Sequence, residues 1–116
     1  MLTWPHTVRV FLCTEATDMR RSFDSLAEMT RRVIGESPLS GHLFVFASRR
    51  ADRVKVLYWD RGGYALWYKR LETGRFHLPK AEGARVELSA SDLSLLLEGI
   101  DLSGARRERR FTPARR

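Results

Sequence analysis

Residues 41–76 read GHLFVFASRRADRVKVLYWDRGGYALWYKRLETGRF, and this stretch decides the fold. It breaks at turn-forming residues in two places. His42 to Ala47, Arg53 to Trp59 and Tyr64 to Glu72 read as strands. Ser48 to Asp52 is a tight turn between the first two, and Asp60-Arg61-Gly62-Gly63 reverses the chain between the last two. Strands joined by such short loops form an antiparallel meander. With Arg61 and Gly62 as a two-residue loop, Trp59 lies across from Tyr64. One face then carries Arg53, Lys55, Leu57 and Trp59 beside Tyr64, Leu66, Tyr68 and Arg70. The other carries Val54, Val56 and Tyr58 beside Ala65, Trp67 and Lys69, and is the better core face.

Working outward, Thr7 to Cys13 alternates at strand spacing, with Val8, Val10 and Leu12 on one side. Asp18 stands ahead of MRRSFDSLAEMTRRVIG and reads as a helix N-cap. Phe23, Leu26, Ala27, Thr30, Val33 and Ile34 share one helical face, and Gly35 ends the helix. Past the hairpin, Phe76 to Pro79 leaves the sheet and Arg85 to Leu88 adds a short edge strand. Ser89 or Ser91 caps a brief helix to about Glu98, which Gly99 stops. The fold class is α+β: a small antiparallel meander of about four to five strands, one N-terminal amphipathic helix and one short C-terminal helix.

The chain has 116 residues, enough for one domain with a real core. Its net charge of +7 is unevenly placed. Residues 105–116, ARRERRFTPARR, hold six Arg and one Glu; the other 104 residues hold fifteen basic and thirteen acidic side chains. The reading is therefore a nearly balanced domain over residues 1–104 and a basic, disordered tail over 105–116 that attracts phosphates without specificity. No apolar run approaches the roughly 20 residues needed to cross a bilayer. The N-terminus lacks the features of a signal peptide, and the one cysteine, Cys13, cannot form an internal disulfide. A cytoplasmic protein without a membrane partner is expected.

Residues 41–76 hold eight of the twelve aromatic residues, interleaved with Arg and Lys. Rings supply stacking faces and cations supply phosphate contacts, so Arg53, Lys55, Trp59, Tyr64, Tyr68 and Arg70 form a candidate nucleic-acid surface. The tail residues Arg106, Arg107, Arg109 and Arg110 extend it. The competing reading is structural: one face of a small sheet often packs under a helix, and cross-strand aromatic pairs need no ligand.

Catalysis finds little support. Asp18, Asp52 and Asp60 have cap and turn roles, and His6, His42 and His77 are isolated in sequence. One cysteine excludes a Cys-x-x-Cys zinc site, and Gly62-Gly63 is a turn rather than a phosphate-binding loop. No cofactor or metal is expected.

Four segments carry a family resemblance: the N-terminal strand, DMRRSFDSL (Asp18 to Leu26), PLSGHLFVFASRRADRVKVLYWDRGGYALWYKRLETGRF (Pro38 to Phe76) and LSASDLSLLLEGIDL (Leu88 to Leu102). In this order and spacing they resemble the short accessory protein encoded by the second reading frame of insertion-sequence-66 transposable elements of bacteria. The resemblance implies a non-catalytic role in DNA transposition beside a larger transposase that carries the catalytic acids. DNA is then the expected partner. A protein-interaction module that binds the transposase, or self-associates as a homo-oligomer without touching DNA, is the alternative.

Overall fold

The computed structural model describes residues 7–99. Five strands form one sheet: β1 (Val10–Cys13), β2 (Leu43–Ala47), β3 (Arg53–Trp59), β4 (Tyr64–Arg70) and β5 (Arg85–Leu88). Two helices accompany them, α1 (Phe23–Met29) and α2 (Ala90–Leu97). The strand order is β4-β3-β2-β1-β5. The α+β class and the β2-β3-β4 meander stand as read from sequence. One pairing differs from a purely antiparallel sheet, because β1 runs parallel to β2, with Phe11 opposite Phe44. Parallel neighbours need a long crossover, and α1 lies within it.

The Arg61-Gly62 loop forms as expected. Arg61 has φ 39° and Gly62 φ 91°, and the Asp60 amide donates to the Gly63 carbonyl at 2.8 Å. Positive φ at both central positions marks the hairpin turn whose twist matches that of its strands. The register follows, with Trp59 opposite Tyr64 and Arg53 opposite Arg70.

The start of α1 departs from the sequence reading. Ser22, not Asp18, is the N-cap, and its amide donates to Ser25 Oγ at 3.2 Å. Asp18 instead closes the preceding turn, accepting from the Arg20 amide at 2.9 Å. At its other end α1 widens into a π-helical turn, Thr30–Ile34, closed by the Gly35 amide donating to the Thr30 carbonyl at 2.8 Å. Gly35 takes φ 82°, as its place at the helix end requires. In α2, Ser89 is the cap, its Oγ accepting from the Asp92 amide at 3.0 Å.

β2 reads LFVFA and is buried along its whole length. A continuous apolar run is what a strand covered on both faces needs. Leu43, Val45 and Ala47 join Val54, Val56, Phe76, Leu93 and Leu96 in a core on the α2 side. Phe44 and Phe46 join Phe11, Leu26, Met29, Ile34 and Leu57 in a second core on the α1 side. Each fully buried Leu or Phe contributes roughly 1.5–3 kcal/mol. The tail from residue 105 and the proposed boundary at residue 104 lie outside the described residues, as does His6.

Candidate functional site

The face carrying Arg53, Lys55, Trp59, Tyr64, Tyr68 and Arg70 is the α1 side of the hairpin. Leu57, and beside it Tyr64 and Leu66, pack with Leu26, Ala27 and Met29 of α1. The helix therefore covers the middle of the face and divides it. Trp59 and Tyr64 lie at the tip end, half-buried, with ring centroids 5.1 Å apart and planes at 81°. Arg53 and Arg70 lie at the opposite end and are exposed. The six candidate residues therefore do not present the one open strip that a continuous nucleic-acid surface would be expected to offer.

Lys55 departs furthest from that expectation. It is only 6% exposed. Its Nζ donates to the carbonyls of Met19 at 2.8 Å and Arg21 at 2.7 Å, and sits 4.7 Å from the Tyr68 ring centroid. A buried ammonium needs such partners, since an unpaired one is costly. Lys55 fastens the lead-in to α1 onto the sheet. Lys69 does the matching job on the other side: its Nζ donates to the Leu97 carbonyl at 2.8 Å, where a cation suits the C-terminal end of α2. Both lysines of the hairpin are thus clamps between layers. The arginines are left to face solvent.

Arg53 and Arg70 are a direct cross-strand pair. Like charges at such positions destabilise a sheet by a few tenths of a kcal/mol to about 1 kcal/mol. Arg70 is partly offset by Glu72 at 3.2 Å, a pair whose side chains are largely exposed and which is worth little in water. Among the described residues no carboxylate lies within 4.0 Å of the Arg53 guanidinium. Beside them Tyr68 is 49% exposed. Sequence reasoning missed the neighbours of this pair, Arg49 and Arg50 in the β2–β3 turn and Arg75 after β4. Their signal was present in the SRRAD turn itself, where two adjacent arginines sit at the sheet's end.

The Arg9 amide donates to His42 Nδ1 at 3.0 Å, and His77 is exposed. Among the described residues no three His, Cys, Asp or Glu side chains gather as a metal site requires. The Asp18 carboxyl is held well below its usual range by the Arg20 side chain and amide. Arg9 lowers Glu87 in the same way through a two-pronged contact, at 2.9 and 2.8 Å. Burial pushes the Cys13 thiol up, and its Sγ donates to the Glu15 carbonyl at 3.7 Å. A depression of about 430 Å³ opens at the carboxyl ends of β1 and β2, lined in part by Cys13, Ala47, Arg49 and Leu78. No described helix is long and apolar enough to cross a membrane.

Comparison with known proteins gives a consistent result. A family model described as IS66 Orf2 like protein matches residues 8–107. An uncharacterized protein of Sinorhizobium fredii (strain NBRC 101917 / NGR234), y4hO, is 46% identical over 101 residues, covering 87% of this chain and 88% of its own. A second uncharacterized protein of the same organism, y4jC, is 32% identical over 101 residues, covering 87% and 86%. No solved structure matches.

Proposed function

The chain belongs to the IS66 Orf2-like family, and from that premise we propose that it assists transposition of an insertion sequence by contacting DNA, leaving strand chemistry to the transposase. The observation that supports this most is the division of labour within the hairpin. Lys55 and Lys69 are turned inward onto backbone carbonyls, whereas Arg53 and Arg70 face solvent side by side. Guanidinium groups suit phosphate, since they are always charged and donate in a fork. Tyr68 lies on the same face and offers a ring next to them. Lys55 drops out of the contact set, and Trp59 and Tyr64 lie at the far end of the hairpin.

Titration against element-end and random duplexes across a salt series tests the reading. Removing Arg53 and Arg70 together weakens binding on both sequences, because phosphate contacts carry no sequence information. A full-length chain that binds no duplex at low salt would refute it.

A second reading rests on exposed apolar groups. Phe23 is 44% and Tyr68 49% exposed, and β4 is an edge strand. A transposase segment docking there is lost on Tyr68→Ala even after DNA has been digested away.

A further inference from the structure

We propose that the end of the sheet built from the β2–β3 turn and the segment following β4 is a ridge that seats the sugar–phosphate backbone of DNA, with Arg49, Arg50 and Arg75 as its principal contacts. This rests on the DNA reading above and moves the weight of contact from the sheet face to the sheet end.

Five arginines stand on the β2–β3 turn, the adjoining strand ends and the segment after β4, namely Arg49, Arg50, Arg53, Arg70 and Arg75, and the same stretches carry two carboxylates, Asp52 and Glu72. Asp52 accepts a hydrogen bond from Ser48 Oγ at 3.1 Å, and Glu72 is paired with Arg70. Among the described residues Arg49, Arg50, Arg53 and Arg75 have no carboxylate within 4.0 Å. Arg50, Asp52, Gly74 and Arg75 line an open depression of about 370 Å³. On the other side of the turn, Arg49 lines a second one, of about 390 Å³, with Arg21, Glu15 and Asp18. The Asp18 charge there is already engaged by Arg20 at 2.7 Å. At the opposite end of the hairpin Asp60 and Arg61 balance one another, so the surplus is local.

The backbone bearing these arginines is held firmly. The Phe76 amide donates to the Ala51 carbonyl at 2.6 Å, and the Leu71 amide to the Asp52 carbonyl at 2.8 Å. These bonds tie the turn to the segment after β4, so Arg50 and Arg75 share one rigid frame. Ala51 sits at φ 60°, a conformation that a residue with a Cβ adopts at some cost. Fixed backbone presenting unpaired guanidiniums favours a polyanion, because little ordering is left to do on binding. Arg49 and Arg50, adjacent in the turn, line the second and the first of these depressions, which offers a cation in both to a chain of phosphates.

The test uses the full-length chain and fluorescently labelled element-end and random-sequence DNA duplexes across a salt series. Replacing Arg49, Arg50 and Arg75 by Ala lowers affinity equally for both duplexes and reduces the log–log salt slope by about 2 to 3. Thermal unfolding of this variant matches that of the parent. An equal change of charge elsewhere, Arg31, Arg32 and Arg61 to Ala, leaves the slope within about half a unit of the parent. If the parent binds and the first variant keeps its slope, the ridge is refuted while the DNA reading survives. Equal losses from both triple variants also refute it, since net charge alone is then at work. A parent that binds neither duplex overturns both proposals.

Discussion

Lys55 and Tyr68 face one another across β3 and β4, the ammonium 4.7 Å from the ring centroid, and together they close over the lead-in to α1. The lysine serves two carbonyls beneath the ring, those of Met19 and Arg21. A residue that looks like a phosphate ligand in the sequence is thereby a fastening between layers.

Lys55→Met keeps the aliphatic stem and removes the donor. Two carbonyls lose their partner, which costs about 1–3 kcal/mol. The midpoint of thermal unfolding falls by about 4–8 °C per kcal/mol lost in a domain of this size. A variant as stable as the parent contradicts the clamp.

Arg61 offers the opposite outcome. Its φ of 39° suits Asn better than Arg, and Asn-Gly is the favoured pair for this hairpin loop. Arg61→Asn raises unfolding stability by about 0.5–1 kcal/mol in urea titration. A loss of stability means the loop has another geometry.

The Arg9–Glu87 contact sets a pH dependence. Glu87 is held below the ordinary glutamate value of about 4.3 by the hydrogen bond and charge of Arg9. A carboxylate whose folded pKa is depressed stabilises the fold above its unfolded value, and that contribution fades as pH falls through the folded one. Unfolding stability therefore declines as pH is lowered from about 5 through 4.3 and below. Glu87→Gln makes the decline shallower. The difference is small, because the two side chains are 50% and 45% exposed. Asp18→Asn acts in the same direction.

Cys13 is buried and its thiol is raised by desolvation, so little thiolate forms at neutral pH. Iodoacetamide labels the native chain slowly, and the rate climbs in step with unfolding as urea is added. Rapid labelling without denaturant contradicts the burial.

The hairpin was legible in the sequence but its register was not, since it depended on taking Arg61-Gly62 as the two-residue loop. With that loop, period-two alternation assigned the side chains of both strands to the faces they occupy. What alternation cannot tell is which face a helix will cover. Leu57 and Leu66 were the clue, two apolar residues amid the cations, and α1 packs over them. The parallel partnership of β1 and β2 was hidden for a related reason. Both strands are short and apolar, and their pairing is set by the long crossover from Thr14 to His42 rather than by a local turn. The shift of the N-cap from Asp18 to Ser22 is local competition: Asp18 is consumed by the Arg20 amide and guanidinium, and Ser22 is next in line. The arginines of the sheet end were visible individually, yet only the bonds from Ala51 to Phe76 and from Asp52 to Leu71 bring Arg50 beside Arg75.

The place of β1 bears on how the chain comes together. It lies between β2 and β5, the latter adding its antiparallel partner through Phe11 opposite Glu87. β1, the first of the described strands, is therefore flanked on one side by β5, the last of them, and that edge of β1 lacks its β5 partner until residue 88 has been made. Pairings this distant slow folding, because a long stretch of chain must be closed before they reward it. A nascent polypeptide halted short of Arg85 would carry a complete meander with an open, apolar margin, the kind of edge on which unfinished chains associate.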